Sequence, residues 1–294
     1  MSELTLPMPM PMPMPMPMPM PMPMPMPMPM PMPGPMPGPM PGRRAILTPA
    51  STMTARALRL TLRNPESLIT ALALPVILML MFVYLFGGAI TTGTKYVDFV
   101  VPGVLLVCAG FGAATTAVTV AQDLTGGVMD RFRSMDVPGA VLVTGHVIAS
   151  LARNLLSTAL VFAAALAIGF RSHANVTQWL AALALLALFM FALSWVAATI
   201  GVAADSVDAA NGMGFLISFL AYPSSAFVPI STMPSWLQAF ARNQPVTAVA
   251  DTVRGLLDGG SIGASAWHAV VWSVAIVAVA VLLAGALFPR RCRA

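Results

Sequence analysis

The sequence predicts an all-α integral membrane protein. It has six transmembrane helices with cytoplasmic N- and C-termini, an N-terminal interfacial helix, and short extracellular re-entrant helices before the last span. Three observations predict this. Of the 294 residues, 58% are hydrophobic and only 9% charged, with a mean hydropathy of +0.84, whereas soluble domains carry roughly one quarter charged residues. Apolar runs of spanning length recur along the chain, and the basic residues collect on alternate connections between them.

The first segment, 1–42, is a Met-Pro repeat broken by Gly34, Gly38 and Gly42. Proline at every second position removes amide donors and fixes φ, so a disordered, polyproline-like arm is expected. Its thioethers would suit Cu(I), but no Cys or His joins them, which favours an expanded repeat. The arm also lacks the apolar core and cleavage site of a signal peptide. Over 43–66, Arg56, Arg59 and Arg63 fall on one helical face beside Ala55, Leu58 and Leu62. That spacing predicts an amphipathic helix on the anionic cytoplasmic leaflet; a simple positive-inside flank is the other reading. Asn64 and Pro65 then open the next helix, proline being tolerated in a first turn.

A spanning helix needs about 20 apolar residues to cross a core of about 30 Å. The candidates are 68–87, 102–122, 147–170, 177–201, 209–229 and 266–288, within a transmembrane domain over 67–290 and ahead of a basic cytoplasmic tail, 291–294. Pro75 is expected to kink the first span. Gly110, Gly112, Ala113 and Ala114 give the second a small-residue face suited to close helix packing. With the N-terminus inside, Arg43, Arg44, Arg56, Arg59, Arg63, Arg131, Arg133, Arg290, Arg291 and Arg293 are cytoplasmic. Only Lys95, Arg171, Arg242 and Arg254 fall outside, the bias expected of a correct topology.

Before the last span lies a stretch too polar to cross the bilayer and too apolar to be a free loop. Pro234 with Trp236, Leu237 and Phe240, then Pro245 with Val249, Val253, Leu256 and Leu257, outline two short amphipathic helices that dip into or cap the outer face. Asp251 and Arg254 are one turn apart, which predicts an exposed local pair worth about 0.3 kcal/mol.

The internal charges concentrate in 123–138. Asp123, Asp130 and Asp136 bracket Arg131 and Arg133, and Phe132 and Met135 add apolar faces. The result is a compact, water-facing loop able to dock on a protein surface. Other chemistry is sparse. A P-loop needs GxxxxGK followed by Ser or Thr, and the only lysine, Lys95, precedes Tyr96; the chain cannot be its own conventional ATPase. There is no GxSxG elbow and no cysteine beside a base. Cys108 and Cys292 are expected to be free, and His146, His173 and His268 to play ordinary interfacial roles. Asp205 and Asp208 sit on a short cytoplasmic connection, Asp208 as an expected N-cap. Apart from Arg153, expected near one end, the spans hold essentially no charged groups that could serve as a relay, which argues against proton coupling. The preference for arginine over lysine reflects a GC-rich bacterial genome rather than a nucleic-acid partner. Such a body, placed in a bacterial plasma membrane, is best driven by an attached soluble motor.

Four stretches together carry a resemblance: ALRLTLRNPESLI ahead of the first span, YVDFVVPGVLLV entering the second, DLTGGVMDRFRSM from Asp123, and FVPISTMPSWLQAFARNQPVTAVADTVRGLL before the sixth. In order and spacing these resemble ABC-2 type transporter permeases, most closely the antibiotic-efflux branch typified by daunorubicin-resistance permeases, over about residues 50–290. The resemblance implies a permease that forms a homodimer in the lipid bilayer and binds a separate ABC ATPase subunit. That subunit holds ATP and Mg, while this chain binds no cofactor and no metal of its own. It also implies export of an amphipathic drug-like cargo, or, in other branches, of a lipid, glycolipid or polysaccharide; a scaffold without cargo is the reading from another class. Asp123, Gly127, Asp130, Arg131, Phe132 and Arg133 fall on the loop that couples the ATPase to the channel. Asp136 departs from the family, where a Leu-Pro pair is commoner.

Overall fold

A computed structural model describes residues 65–89, 95–126, 139–260 and 263–291. The Met-Pro arm, Arg56, Arg59 and Arg63 of the expected interfacial helix, Gly127, Asp130, Arg131, Phe132 and Arg133 of the loop, and Cys292 lie outside the described residues.

Every described element is helical: α1 (Pro65–Met81), α2 (Tyr96–Thr125), α3 (Gly139–Ile168), α4 (Val176–Ala203), α5 (Val207–Phe219), α6 (Ser235–Asn243), α7 (Pro245–Leu257) and α8 (Ala264–Arg291). Helix α1 is described from Pro65, runs through Pro75 and loosens into a π turn over Phe82–Phe86, while Asn64 lies outside the described residues. A reciprocal capping box sets the start of α4. The Asn175 side chain accepts from the Gln178 amide at 2.9 Å, and the Asn175 amide donates to the Gln178 side chain at 2.8 Å.

Among the described residues four helices, α2, α3, α4 and α8, are long and apolar enough to cross a membrane. The first expected span, 68–87, falls on α1 and the π turn that continues it, whereas the fifth is a shorter element. The helix expected over 209–229 stops at Phe219 and gives way to turns. Pro223 and Pro229 cannot donate to a helical ladder, and Ser224 and Ser225 offer the backbone competing hydrogen bonds. The irregular stretch is buried in protein, with Ser224, Ser225, Ala226 and Phe227 at most 4% exposed. Non-helical backbone at membrane depth is tolerated only under such cover.

Helix α2 is the axis. Its apolar window is 78% buried, against 17% for α8, and it packs on α1, α3, α4, α5 and α7. Lipid tails are as apolar as leucine, so helices in a bilayer associate through close packing rather than hydrophobic exclusion. The predicted small-residue face supplies that contact. A methyl placed on Gly110 would lie 3.0 Å from the Ser218 Cα, and one on Gly214 3.2 Å from the Ala114 Cα, so α2 and α5 meet almost backbone to backbone. Gly201 of α4 approaches α2 likewise, its missing Cβ falling 2.6 Å from the Ala117 carbonyl. Replacing Gly201 by leucine is therefore expected to force α4 off α2 and to cost about 1–3 kcal/mol, read as a fall in melting temperature in detergent.

Two directions fix the ends of the bundle. The ring of Phe82, at the far end of α1, stacks on Phe227 at 4.4 Å. Ala280 and Ala284, late in α8, pack with Val120 and Val143. The start of α1 and the end of α8 thus lie at the same end of the bundle, that of Thr125 and Gly139.

Candidate functional site

Polar chemistry gathers in three places: the two ends of the bundle and one level inside it.

At the Thr125 end, Asp123 occupies the last turns of α2, and its Oδ2 lies 2.9 Å from His146 Nε2 on α3. This contact joins the two helices that bracket residues 127–138. Ala121, Ala204 and Ala210 pack together beside it and bring the α4–α5 connection to the same end. One expectation about that connection is corrected. The N-cap of α5 is Ser206, whose Oγ accepts from the Ala209 amide at 3.1 Å, while Asp208 sits inside the first turn. A carboxylate there still favours the positive end of the helix dipole.

At the opposite end, α6 and α7 form where the sequence places them, after Pro234 and from Pro245. Val249, Val253, Leu256 and Leu257 of α7 are at most 3% exposed, whereas Trp236 on α6 is 76% exposed. Helix α7 thus packs into the body while α6 turns its aromatic face outward. The Asp251–Arg254 contact is not the expected surface pair. The Arg254 side chain is only 14% exposed, and its Nη1 donates to Asp251 Oδ1 at 2.7 Å. Its Nη2 donates to the Ser225 carbonyl at 2.8 Å, its Nε donates to the Phe99 carbonyl at 3.1 Å, and its guanidinium carbon lies 3.8 Å over the Phe99 ring. One planar fork therefore ties α7 to the start of α2 and to the irregular stretch, a geometry lysine cannot reproduce. Around it Ser225 Oγ donates to Asp251 at 2.7 Å, Tyr96 Oη donates to the Phe227 carbonyl at 2.9 Å, and the Gln244 amide donates to the Pro223 carbonyl.

Burial pushes Arg254 below its usual value, opposed by Asp251 and Asp258, and it stays charged because guanidinium starts so high. Asp258, at the end of α7, is pushed up by burial and then by Asp98, against Arg254 and His173. A carboxyl raised in the folded state contributes stability at low pH that is lost as pH climbs through its folded value. Asp258→Asn is therefore expected to raise the melting temperature at neutral pH and to leave it unchanged below the ordinary carboxylate range, checked by melting across pH.

Inside the bundle, Arg153 corrects a second expectation. It stands near the middle of α3, since that helix starts at Gly139 rather than near 147. Its Nη2 donates to Thr115 Oγ1 at 3.0 Å and to Thr116 Oγ1 at 3.2 Å. Thr116 Oγ1 donates to Ser150 Oγ at 2.6 Å, and Ser150 lies 3.0 Å from Ser194 Oγ, which donates to the Met190 carbonyl at 2.8 Å. A hydrogen-bonded seam thus crosses α2, α3 and α4. Sequence reading missed it, although the Thr115–Thr116 pair inside an apolar run was a usable signal. Cys108 is a buried free thiol, as expected.

A helical body with several membrane-length spans, whose polar groups join helices to one another at both ends, defines a multi-pass membrane protein. The chain belongs to the ABC-2 type transporter family, whose model matches residues 49–257. It is similar to the "Daunorubicin resistance ABC transporter permease protein DrrB1" of Streptomyces coeruleorubidus, 31% identical over 66% of this chain and 70% of that protein. It is also similar to the "Probable doxorubicin resistance ABC transporter permease protein DrrC" of Mycobacterium tuberculosis, 22% identical over 77% of this chain and 83% of that protein.

Proposed function

We propose that the chain is the membrane subunit of an ATP-driven exporter that moves amphipathic drug-like molecules out of a bacterial cell. The observation that carries this reading is the family match over 49–257, joined to relatives whose names attach drug resistance to the same architecture. In this reading six elements cross or enter the bilayer, both termini are cytoplasmic, and two copies of the permease assemble. A separate ATPase subunit holds ATP and Mg. The Thr125 end faces the cytosol, where Asp123, Gly127, Asp130, Arg131, Phe132 and Arg133 receive the motor, with Arg56, Arg59 and Arg63 on the inner leaflet beside them. Helices α6 and α7, with Pro234, Trp236, Pro245, Asp251 and Arg254, close the outer face.

Co-expression with a candidate ABC ATPase subunit, in a host stripped of other drug pumps, tests the reading. Accumulation of an anthracycline should fall, and should recover when the ATPase loses its P-loop lysine. Unchanged accumulation of several amphipathic drugs, with altered lipid export instead, would move the cargo to the lipid class. Solute movement by the purified permease alone would overturn the whole account.

A further inference from the structure

We propose that Arg153, with Thr115 beside it, is the acid-recognising element of the membrane pathway, taking a carboxylate carried on an amphipathic cargo. The inference rests on the permease reading and narrows its cargo class.

A guanidinium at this depth is costly unless something compensates its charge. Along α2, Thr115 lies ten residues before the helix ends at Thr125, which at 1.5 Å per residue is about 15 Å into the bundle. Among the described residues Arg153 meets no carboxylate. Among those residues its polar partners are the hydroxyls of Thr115 and Thr116 alone, both on Nη2, and a hydroxyl accepts a hydrogen bond without neutralising a charge. The Nε and Nη1 donors of the fork remain for a ligand. Thr115 is exposed, so the guanidinium reaches the open flank of α2 rather than the closed core.

A second observation at the same level points the same way. Asn154, 1% exposed, packs its side chain against the turn of α2 that begins at Gly112, its Oδ1 nearest to that glycine, and its NH2 is buried without a partner among the described residues. The Gly112 carbonyl already accepts from Thr115 at 2.8 Å. At this level the Asn154 NH2 and the Nε and Nη1 donors of Arg153 thus have no acceptor among the described residues, an imbalance a planar oxyanion would correct. A carboxylate matches the guanidinium fork in both spacing and plane, and an apolar body attached to it suits the surrounding flank. Phosphate of an anionic lipid shares the chemistry but normally resides at the interface.

The test uses the purified full chain in phosphatidylcholine nanodiscs, with dansyl-undecanoate and its methyl ester as probes. The acid should bind about tenfold or more tightly than the ester, since a hydrogen bond to a charged group is at stake. Arg153→Gln should lower acid affinity to the level of the ester, Arg153→Lys should keep part of the preference, and Thr115→Val, which spares the buried seam, should weaken acid binding several-fold. Equal affinity for acid and ester in the unmodified chain, or a preference that survives Arg153→Gln, would overturn the proposal. Loss of the preference on adding phosphatidylglycerol to the disc would also overturn it, by assigning the site to a lipid headgroup. Transport with the ATPase separates the two readings. Export of both probes without discrimination removes the acid site and leaves the permease, whereas acid-selective binding without ATP-driven export removes the permease and leaves the site.

Discussion

Arg254→Ala is expected to loosen the cap formed by α6 and α7 and, in the proposed function, to abolish export. The substitution removes the donors to Asp251, to the Ser225 carbonyl and to the Phe99 carbonyl at once, and it uncovers the Phe99 ring. Breaking a fully buried pair from one side costs about 3–5 kcal/mol. Asp251 is 41% exposed and can recover water, so about 2–3 kcal/mol is the better expectation, the larger part coming from the two orphaned carbonyls. Arg254→Lys keeps the charge but cannot reach three acceptors in one plane, and should recover less than half of the loss. Thermal melting of the purified chain, with drug accumulation in cells, checks both variants. A melting temperature unchanged in Arg254→Ala would mean that the cap is held by α7 packing alone.

The paired substitution Arg131→Ala and Arg133→Ala should have the largest effect on activity and almost none on stability. In the proposed docking role each arginine would supply charge-assisted hydrogen bonds to the ATPase, worth about 1.5–3 kcal/mol apiece. Losing both should weaken association with the ATPase by a factor on the order of 100–10,000. The helices from which the loop springs are joined by the 2.9 Å contact between Asp123 and His146, which the double variant leaves untouched. Co-purification of the ATPase should fail while the melting temperature of the permease alone holds. Wild-type co-purification and export would take the loop out of its proposed coupling role.

Much of the fold was legible because apolar run length is a local property. Helices α2, α4 and α8 fall within a few residues of the predicted spans, and the glycine and alanine pattern on α2 announced its close contacts. Pro234 and Pro245 placed α6 and α7 for the same reason, since proline acts on its own backbone. The fifth span was misread because hydropathy counts Leu220 to Val228 as apolar without asking whether the backbone can close its hydrogen bonds. Pro223 and the serines after it decide that, and their substitute partners come from Tyr96, Gln244, Thr247 and Arg254, far away in sequence.

The candidate site shows the same division. Residues 123–138 stood out because charge in an apolar chain is conspicuous; of them Asp123 lies in the last turns of α2, and 127–138 fall outside the described residues. His146 did not, since one histidine in sequence carries no partner with it. Asp251 and Arg254 were recognised as a pair but valued as a surface pair, because nothing local says that Phe99 and Ser225 will enclose them.

Composition, run length and proline position thus determined by themselves that the chain is a helical membrane protein, where its main helices lie and where its charges gather; each of these depends on neighbouring residues alone. Only the tertiary structure decided that α2 is the axis, that the fifth element breaks, that Arg254 binds the cap together and that Arg153 stands deep among hydroxyls. Those facts depend on which distant groups share a small volume, and in a bilayer the enclosed polar groups, unable to turn to water, must find their partners there.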